Sequence, residues 1–517
     1  MTRGAVAAGH PETAEAGVWA LRKGGNAVDA AVAAMAASLS AESPLTGLGA
    51  GGYMLVHEPG GDSTLLDFFV AAPGREQRSP GSELVPVEID FGDTTQVFNI
   101  GAASCGVPGT PAGLAEATER FGSMPLSELM RPGVRLAREG VVVNAQQAYL
   151  LRILTPVLTH EPPGAEIYAP GGSLLREGDS FVFAELADSL ELLGAEGDEP
   201  FYRGDVAARL CAWVGDRGGT LSPSDLSAYR PLSRAPVTID FAGREIRTNP
   251  PPSSGGLLIA FALALLERLG ETDLPTLVAA MEEAQQARSE RFLAGLYEPG
   301  FAARFLGADV LAGAELRCRE GVRPRPGAAF PGDALGSTTH ITAVDSEGRC
   351  ASVTCSNGTG SGLLVPGTGV HVNNMLGEQD LNPFGYHRTE PGRRMPSMMS
   401  PTVVLHGGEL EVGLGSGGSN RIRSAIVQTI LRIAIDELAA GAAIAAPRIH
   451  YEDDVVYAEP GVDEEGLQAL ASRGYEIFRW QAPNLFFGGV NAVLRDPATG
   501  RLSGGADPRR GGAVALA

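Results

Sequence analysis

The chain is short of the residues that would make it a disulfide scaffold, a metalloprotein, a membrane span or a nucleic-acid binder. Its five cysteines, at positions 105, 211, 318, 350 and 355, form no CxxC pair and no even framework. They read as small buried hydrophobes, the reduced thiols of a cytoplasmic protein. Eight histidines are scattered without ligand spacing, so no metal or other cofactor is expected. Positive charge is scarce, with 40 Lys and Arg against 61 Asp and Glu and a formal charge of −21. Without a basic footprint, nucleic acid and anionic membrane surfaces are excluded as expected partners. The longest apolar runs, "AVDAAVAAMAASLS" and "GGLLIAFALALLE", are too short to span a bilayer and read as buried helices. The N-terminal "MTRGAVAAGHPETAEAG" carries no apolar stretch of signal-peptide length.

What is present supports a sizeable core, since 44% of residues are apolar and 20% charged. Residues 11–40 read as two helices split by "KGGN", and "GYMLVHEPGGDSTLLDFF" as a hairpin. Residues 108–150 and 180–215 are helical in pattern, with a helix cap at Ser222 or Ser224. "APVTIDFAGREIRTNPPPSSGG" reads as strand, turn and strand, then a loop opening onto a helix from about Gly256 and a second over roughly 275–297. Past a breaker-rich segment at 321–336, short strands follow at 338–345, 349–355, 363–373, 401–406 and 410–415, then a helix near 421–440. Helices early and strands late indicate sheet layers covered by helices. "GLGAGG", Gly47 to Gly52, satisfies the spacing of a dinucleotide-binding fingerprint. A helix precedes it and a strand follows, the reverse of what that fingerprint needs, so it reads as a tight turn.

The chemically pointed stretch is "GDALGSTTHITAVDSEGRCASVT", in which Thr338, Thr339 and His340 open a hairpin directly behind "GVRPRPGAAFPGD". A threonine hydroxyl is a weak nucleophile until a base takes its proton. If the threonine is the first residue of a chain, its own α-amine, with a pKa of about 8, can be that base. That solution requires a cut immediately before Thr338. Threonines are also ordinary β-branched strand residues, and the local pattern leaves both readings open. His340 reads as a structural strand histidine, because the α-amine would already fill the role of base.

Segment order adds what the local pattern lacks. "GSTTHITAVDSEGRCASVT" resembles the start of the small subunit in the gamma-glutamyltranspeptidase family of self-cleaving N-terminal-nucleophile hydrolases. "LRKGGNAVDAAVAA", "GLGAGGYM", "GVPGTPAGL", "NPPPSSGG", "VPGTGVHVNN", "SPTVVL", "GSGGSNRI", "APRIHYE" and "GGADPRRGG" are similar to that family's segments, in order, over nearly the whole chain. The resemblance implies an α+β fold, a four-layer αββα sandwich. Residues 1–337, with a mobile tail at about 319–337, and residues 338–517 would build it jointly around one core. It implies cleavage between Ser337 and Thr338, with Thr338 the nucleophile of both cleavage and turnover. Gly417, Gly418 and Ser419 would form the oxyanion loop. Ser356 and Asn357 would lie beside the nucleophile and substrate, Glu378 near the substrate's α-amine, Arg394 at a family arginine, and Ser397 at the substrate carboxylate. Implied partners are a small acyl donor (a γ-glutamyl compound or another amide) and a water or amine acceptor. The cleaved pieces would form a heterodimer, with any further pairing open.

Three positions depart from the family pattern. Members acting on glutathione carry an arginine after Asp-Phe, where this chain reads "LDFFVAAP" with Phe69. A phenyl ring cannot make the bidentate contact of a guanidinium to a carboxylate. The second serine of a carboxylate-binding pair is Met398, and the polar residue after Asn-Asn is Met375. Arg75 and Arg78 are the arginines near enough in sequence to substitute. Three readings follow: a γ-glutamyl enzyme, the same machinery on a non-glutamyl acyl group, or an uncleaved relative that only binds. Intact Thr338, Thr339 and "GSGGSNR" argue against the last, since a silent copy has no chemical reason to keep them.

Overall fold

The alanine-rich helix Ala27–Ala41 is buried along its whole length, as small side chains permit when neighbouring backbones approach closely on every side. Asn26 and Asp29 form a reciprocal capping box at its start. Asp29 also accepts from the backbone of Ser123 and Met124, which ties this helix to the layer above it. The computed structural model describes residues 3–90, 95–321, 337–382 and 385–517.

Two antiparallel sheets form the centre. One has seven strands in the order Ala513–Leu516, Gly4–Ala8, Ser337–Asp345, Cys350–Gly358, Gly51–His57, Ser63–Phe68 and Leu232–Arg234. The other has six, in the order Leu502–Ala506, Gly489–Arg495, Glu409–Gly417, Thr402–His406, Arg244–Thr248 and Val237–Phe241. They meet face to face, and two glycines let them close. A Cβ on Gly415 would lie 2.3 Å from the His340 ring, and one on Gly413 would lie 2.4 Å from Cys350 Sγ. Helices Pro11–Arg22, Ala27–Ala41 and Thr110–Phe121 cover the first sheet, with Leu126–Glu139 packed on Ala27–Ala41 and Ala184–Glu196 packed on Leu126–Glu139. Ser254–Leu269 and Arg421–Ala434 cover the second, and Leu274–Ala287 packs against Ser254–Leu269. This is the expected α+β sandwich of four layers, αββα.

Both sheets contain strands from before and from after position 338, and one apolar cluster joins Leu55 and Leu65 to Val403 and Leu414. Of the tail expected at 319–337, Arg319 and Glu320 close the helix Ala308–Glu320 and Ser337 opens a strand. Residues 322–336 lie outside the described residues. The strand expected at 363–373 is instead a tight hairpin, Leu364–Val365 against Val370–His371. Pro366, Gly367 (φ 72°) and Gly369 (φ 61°) turn the chain between them. The helix expected over 275–297 breaks at Arg288 and restarts as Glu290–Gly295, capped by Ser289. That expected near 421–440 stops at Ala434, with a separate turn of helix at Ala440–Ala445. No helix among the described residues is long and apolar enough to cross a membrane.

Candidate active site

The hairpin Ser337–Asp345 and Cys350–Gly358 is regular until its open end. There Ser337 pairs with Gly358 but Thr338 with Ser356, leaving Asn357 as an extra residue. A bulge of this kind re-aims neighbouring side chains. Ser356 turns toward Thr338 and Asn357 turns away. Thr338 Oγ1 donates to Ser356 Oγ at 3.1 Å, and Ser356 Oγ donates to the Ser337 carbonyl at 2.6 Å. The Gly358 N–H holds Ser356 Oγ from the other side at 3.0 Å. A hydroxyl hydrogen bond thus rests on the carbonyl directly preceding Thr338. Asn357 instead donates Nδ2 to the His371 carbonyl at 3.1 Å and faces away from the cavity.

Behind the threonines, Glu42 ends the alanine-rich helix inside the protein, where burial raises its pKa. It accepts from Thr339 Oγ1 and, at 2.8 Å, from Thr13 Oγ1. Partly buried Arg510 donates Nη1 to the Thr338 carbonyl at 3.0 Å. Glycine clears space for it, since a Cβ on Gly489 would lie 2.1 Å from Arg510 Cδ. His340 bonds Thr354 at 2.8 Å and Thr342 at 2.9 Å, and burial pushes its pKa down to about 3, so it is a neutral strand residue as expected.

Thr338 and Ser356 open onto a cavity of about 340 Å³. Phe69, Met375 and Met398, the three departures from the family pattern, all line it, together with Met399, Leu381 and Ile422. Phe69 is held by stacking on Tyr53, with ring centroids 5.3 Å apart. Polar groups concentrate in Ser397, Ser419, Glu378 and Asp380. The loop opening the helix Ser254–Leu269 positions Ser397, whose carbonyl accepts from Ser253 Oγ at 2.9 Å and from the Ser254 N–H at 2.8 Å. Ser397 Oγ accepts from the Met399 N–H at 3.0 Å.

Gly417 ends its strand and the helix Arg421–Ala434 begins four residues on, through Gly418 (φ 125°) and Ser419 (φ 50°). A Cβ at Gly417 would meet the Thr338 carbonyl oxygen at 2.3 Å, so only glycine lets this turn approach the nucleophile strand. Ser419 Oγ donates to Asp380 Oδ2 at 2.9 Å. Arg394 does not line the cavity. Its Nε is 3.2 Å from Asp67 Oδ1, with the guanidinium 4.2 Å over the Tyr229 ring, because buried Asp67 needs cationic partners. Nor do Arg75 and Arg78 reach it, and Arg75 faces Asp225 at 3.9 Å.

Glu42, Asp380 and Arg510 stand at this site although no motif in the sequence singles them out. The available signals were a carboxyl terminating an apolar helix, a second acid two residues past Glu378, and the paired arginines of "ADPRRGG".

The sequence profile of the gamma-glutamyltranspeptidase family matches residues 13–517. Acylase ACY 1 proenzyme of Pseudomonas sp. (strain V22) is 32% identical, over 98% of this chain and 92% of its own. Glutathione hydrolase proenzyme of Escherichia coli (strain K12) is 30% identical, over 98% and 90%. The crystal structure of cephalosporin acylase from Bacillus halodurans superposes with a TM-score of 0.84 at 26% identity, covering 99% of this chain and 96% of that one. The fold is that of N-terminal-nucleophile hydrolases. The chain belongs to the gamma-glutamyltranspeptidase family and is an enzyme of that kind.

Glu378 sets a pH dependence. Burial first, and then neighbouring Asp380, push its pKa from 4.5 up to about 8. The folded chain therefore holds a proton that the unfolded chain releases near 4.5, and stability falls as pH rises through that window. In a Thr338→Ala background, Glu378→Gln should lose less stability than its parent between about pH 5 and about pH 8, measured by urea unfolding. Parallel curves for the two chains would contradict this.

Proposed function

We propose that the chain cuts itself before Thr338, and that the freed threonine then cleaves amides whose acyl group is less polar than γ-glutamyl. In the cut, Thr338 Oγ1 attacks the Ser337 carbonyl carbon. The C–N bond breaks as the nitrogen takes the proton, leaving an ester on Thr338 that water hydrolyses. The Ser356 hydroxyl on that carbonyl stabilises the charge developing on its oxygen. In turnover the α-amine takes the hydroxyl proton, Oγ1 forms an ester with the substrate's acyl part, and the amine departs with that proton. Water or a second amine releases the acyl group. The turn at Gly417, Gly418 and Ser419, at a helix N-terminus, would serve the oxyanion.

The observation that carries the substrate assignment is the wall of Phe69, Met375 and Met398 in the cavity that holds Thr338. No arginine lines that cavity among the described residues, so a substrate α-carboxylate would be buried without its bidentate partner. The relatives named as acylases support the same reading. A γ-glutamyl donor is the second reading, favoured by Glu378 and Asp380, which could receive an ammonium group. The hydrogen-bond chain from the Thr338 hydroxyl through the Ser356 hydroxyl to the Ser337 carbonyl counts against a silent binder.

Ser356→Ala should slow appearance of the smaller fragment about 10²–10³-fold, the usual effect of losing one oxyanion donor, and Ser356→Thr should restore it; cleavage at the parent rate in Ser356→Ala would refute the role. On the processed enzyme, hexanoyl-p-nitroanilide should turn over with higher kcat/KM than γ-glutamyl-p-nitroanilide. Phe69→Arg should move that ratio toward the γ-glutamyl compound. A parent enzyme preferring the γ-glutamyl compound would transfer the assignment to the second reading.

A further inference from the structure

Beside the nucleophile cavity lies a second and roomier one, of about 720 Å³, and the two share the wall formed by Leu381 and the Pro396–Ser397 pair. Its lining includes Leu293, Tyr297, Arg388, Thr389 and Arg393. No carboxylate lines it among the described residues, although the chain as a whole is strongly acidic. Arg393 is braced over the Tyr297 ring at 4.6 Å, and its one ion pair among the described residues, with Glu390 at 3.1 Å, lies at the surface. Such exposed pairs hold weakly and leave the guanidinium available. Arg388 has no carboxylate partner among the described residues. Tyr297 is fixed in turn, donating its hydroxyl to the Arg394 carbonyl at 2.9 Å.

The charge of the two cavities is divided. The acids, Glu378 and Asp380, face Thr338, while the arginines stand past Leu381. A substrate spanning both would place its amide at Thr338, an apolar portion against the methionines, and an anionic group between Arg388 and Arg393. We propose that the second cavity is a subsite for an anionic arm of the substrate, a carboxylate or comparable anion carried on the leaving amine or on the far end of the acyl chain. This rests on the acyl-transfer reading above. Such a subsite would let an enzyme with no arginine in its nucleophile cavity, among the described residues, select a charged substrate. Arginine suits the task because its planar fork matches a carboxylate bidentately.

The test compares three amides on the processed enzyme. Hexanoyl-p-nitroanilide is the neutral reference, the hexanoyl amide of 5-amino-2-nitrobenzoate carries the anion on the leaving group, and adipoyl-p-nitroanilide carries it on the acyl chain. One anionic member should exceed the reference in kcat/KM by about tenfold, mainly through KM. That advantage should shrink with added salt and disappear in the Arg388→Gln/Arg393→Gln chain. Which member gains identifies the end of the substrate that enters the subsite. No advantage for either, or one that survives the double substitution, would overturn the proposal. A binding measurement stands apart from catalysis. Benzoate should bind the full Thr338→Ala chain more tightly than benzamide does, and the added arginine substitutions should abolish the difference. Equal binding of benzoate and benzamide would overturn the proposal even where turnover is seen. Arginine-dependent benzoate binding without turnover of any amide would keep the subsite and remove the acyl-transfer reading.

Discussion

The single extra residue at the open end of the Ser337–Asp345 and Cys350–Gly358 hairpin is the constraint on which the site depends. An antiparallel ladder fixes every facing pair, so a residue inserted at Asn357 determines that Ser356, and no other group of that strand, lies against Thr338 and the Ser337 carbonyl. The rest of the fold holds this hairpin still. Its neighbours on both sides are strands from before position 338, the glycine-bearing strand Glu409–Gly417 packs across its face, and Arg510 clamps the Thr338 carbonyl from the chain's last segment. Residues from distant parts of the sequence thus meet on two consecutive peptide groups. A site built on paired strands is held more rigidly than one carried on loops.

Charge within the site follows a similar division of labour. Glu42, Glu378 and Asp380 are all buried with pKa values raised chiefly by desolvation, so the centre keeps carboxyl groups that resist ionisation. Each hydroxyl beside them has a defined partner: Thr339 and Thr13 on Glu42, Ser419 on Asp380, and Thr338 on Ser356. Arginines are kept outside the nucleophile cavity, Arg394 on Asp67 and Arg388 and Arg393 beyond Leu381. Around Thr338 this leaves an apolar room with a few polar groups whose roles are distinguishable.

Much of this was legible in the sequence. The helix pair around "KGGN", the hairpin behind "GSTTHIT" and the backwards order of "GLGAGG" each follow from periodicity and turn chemistry, and each is found in the structure. The departures at Phe69, Met375 and Met398 are scattered along the chain, yet the fold brings all three to one cavity. Other features were not legible because they depend on tertiary partners. Arg394 has the right identity, but Asp67 captures its guanidinium. Asn357 has the right chemistry, but the bulge turns it away, and one-residue shifts in register leave no mark on composition. Glu42 looks like a helix-terminal acid until Thr339 is folded against it.

The most direct measurement is the intact mass of the wild-type chain quenched during turnover of hexanoyl-p-nitroanilide, with the modified peptide mapped. Expected are two species, residues 1–337 and residues 338–517, the second carrying the hexanoyl mass on Thr338. A single unbroken chain, or an adduct on any other residue, would contradict Thr338 as the freed nucleophile.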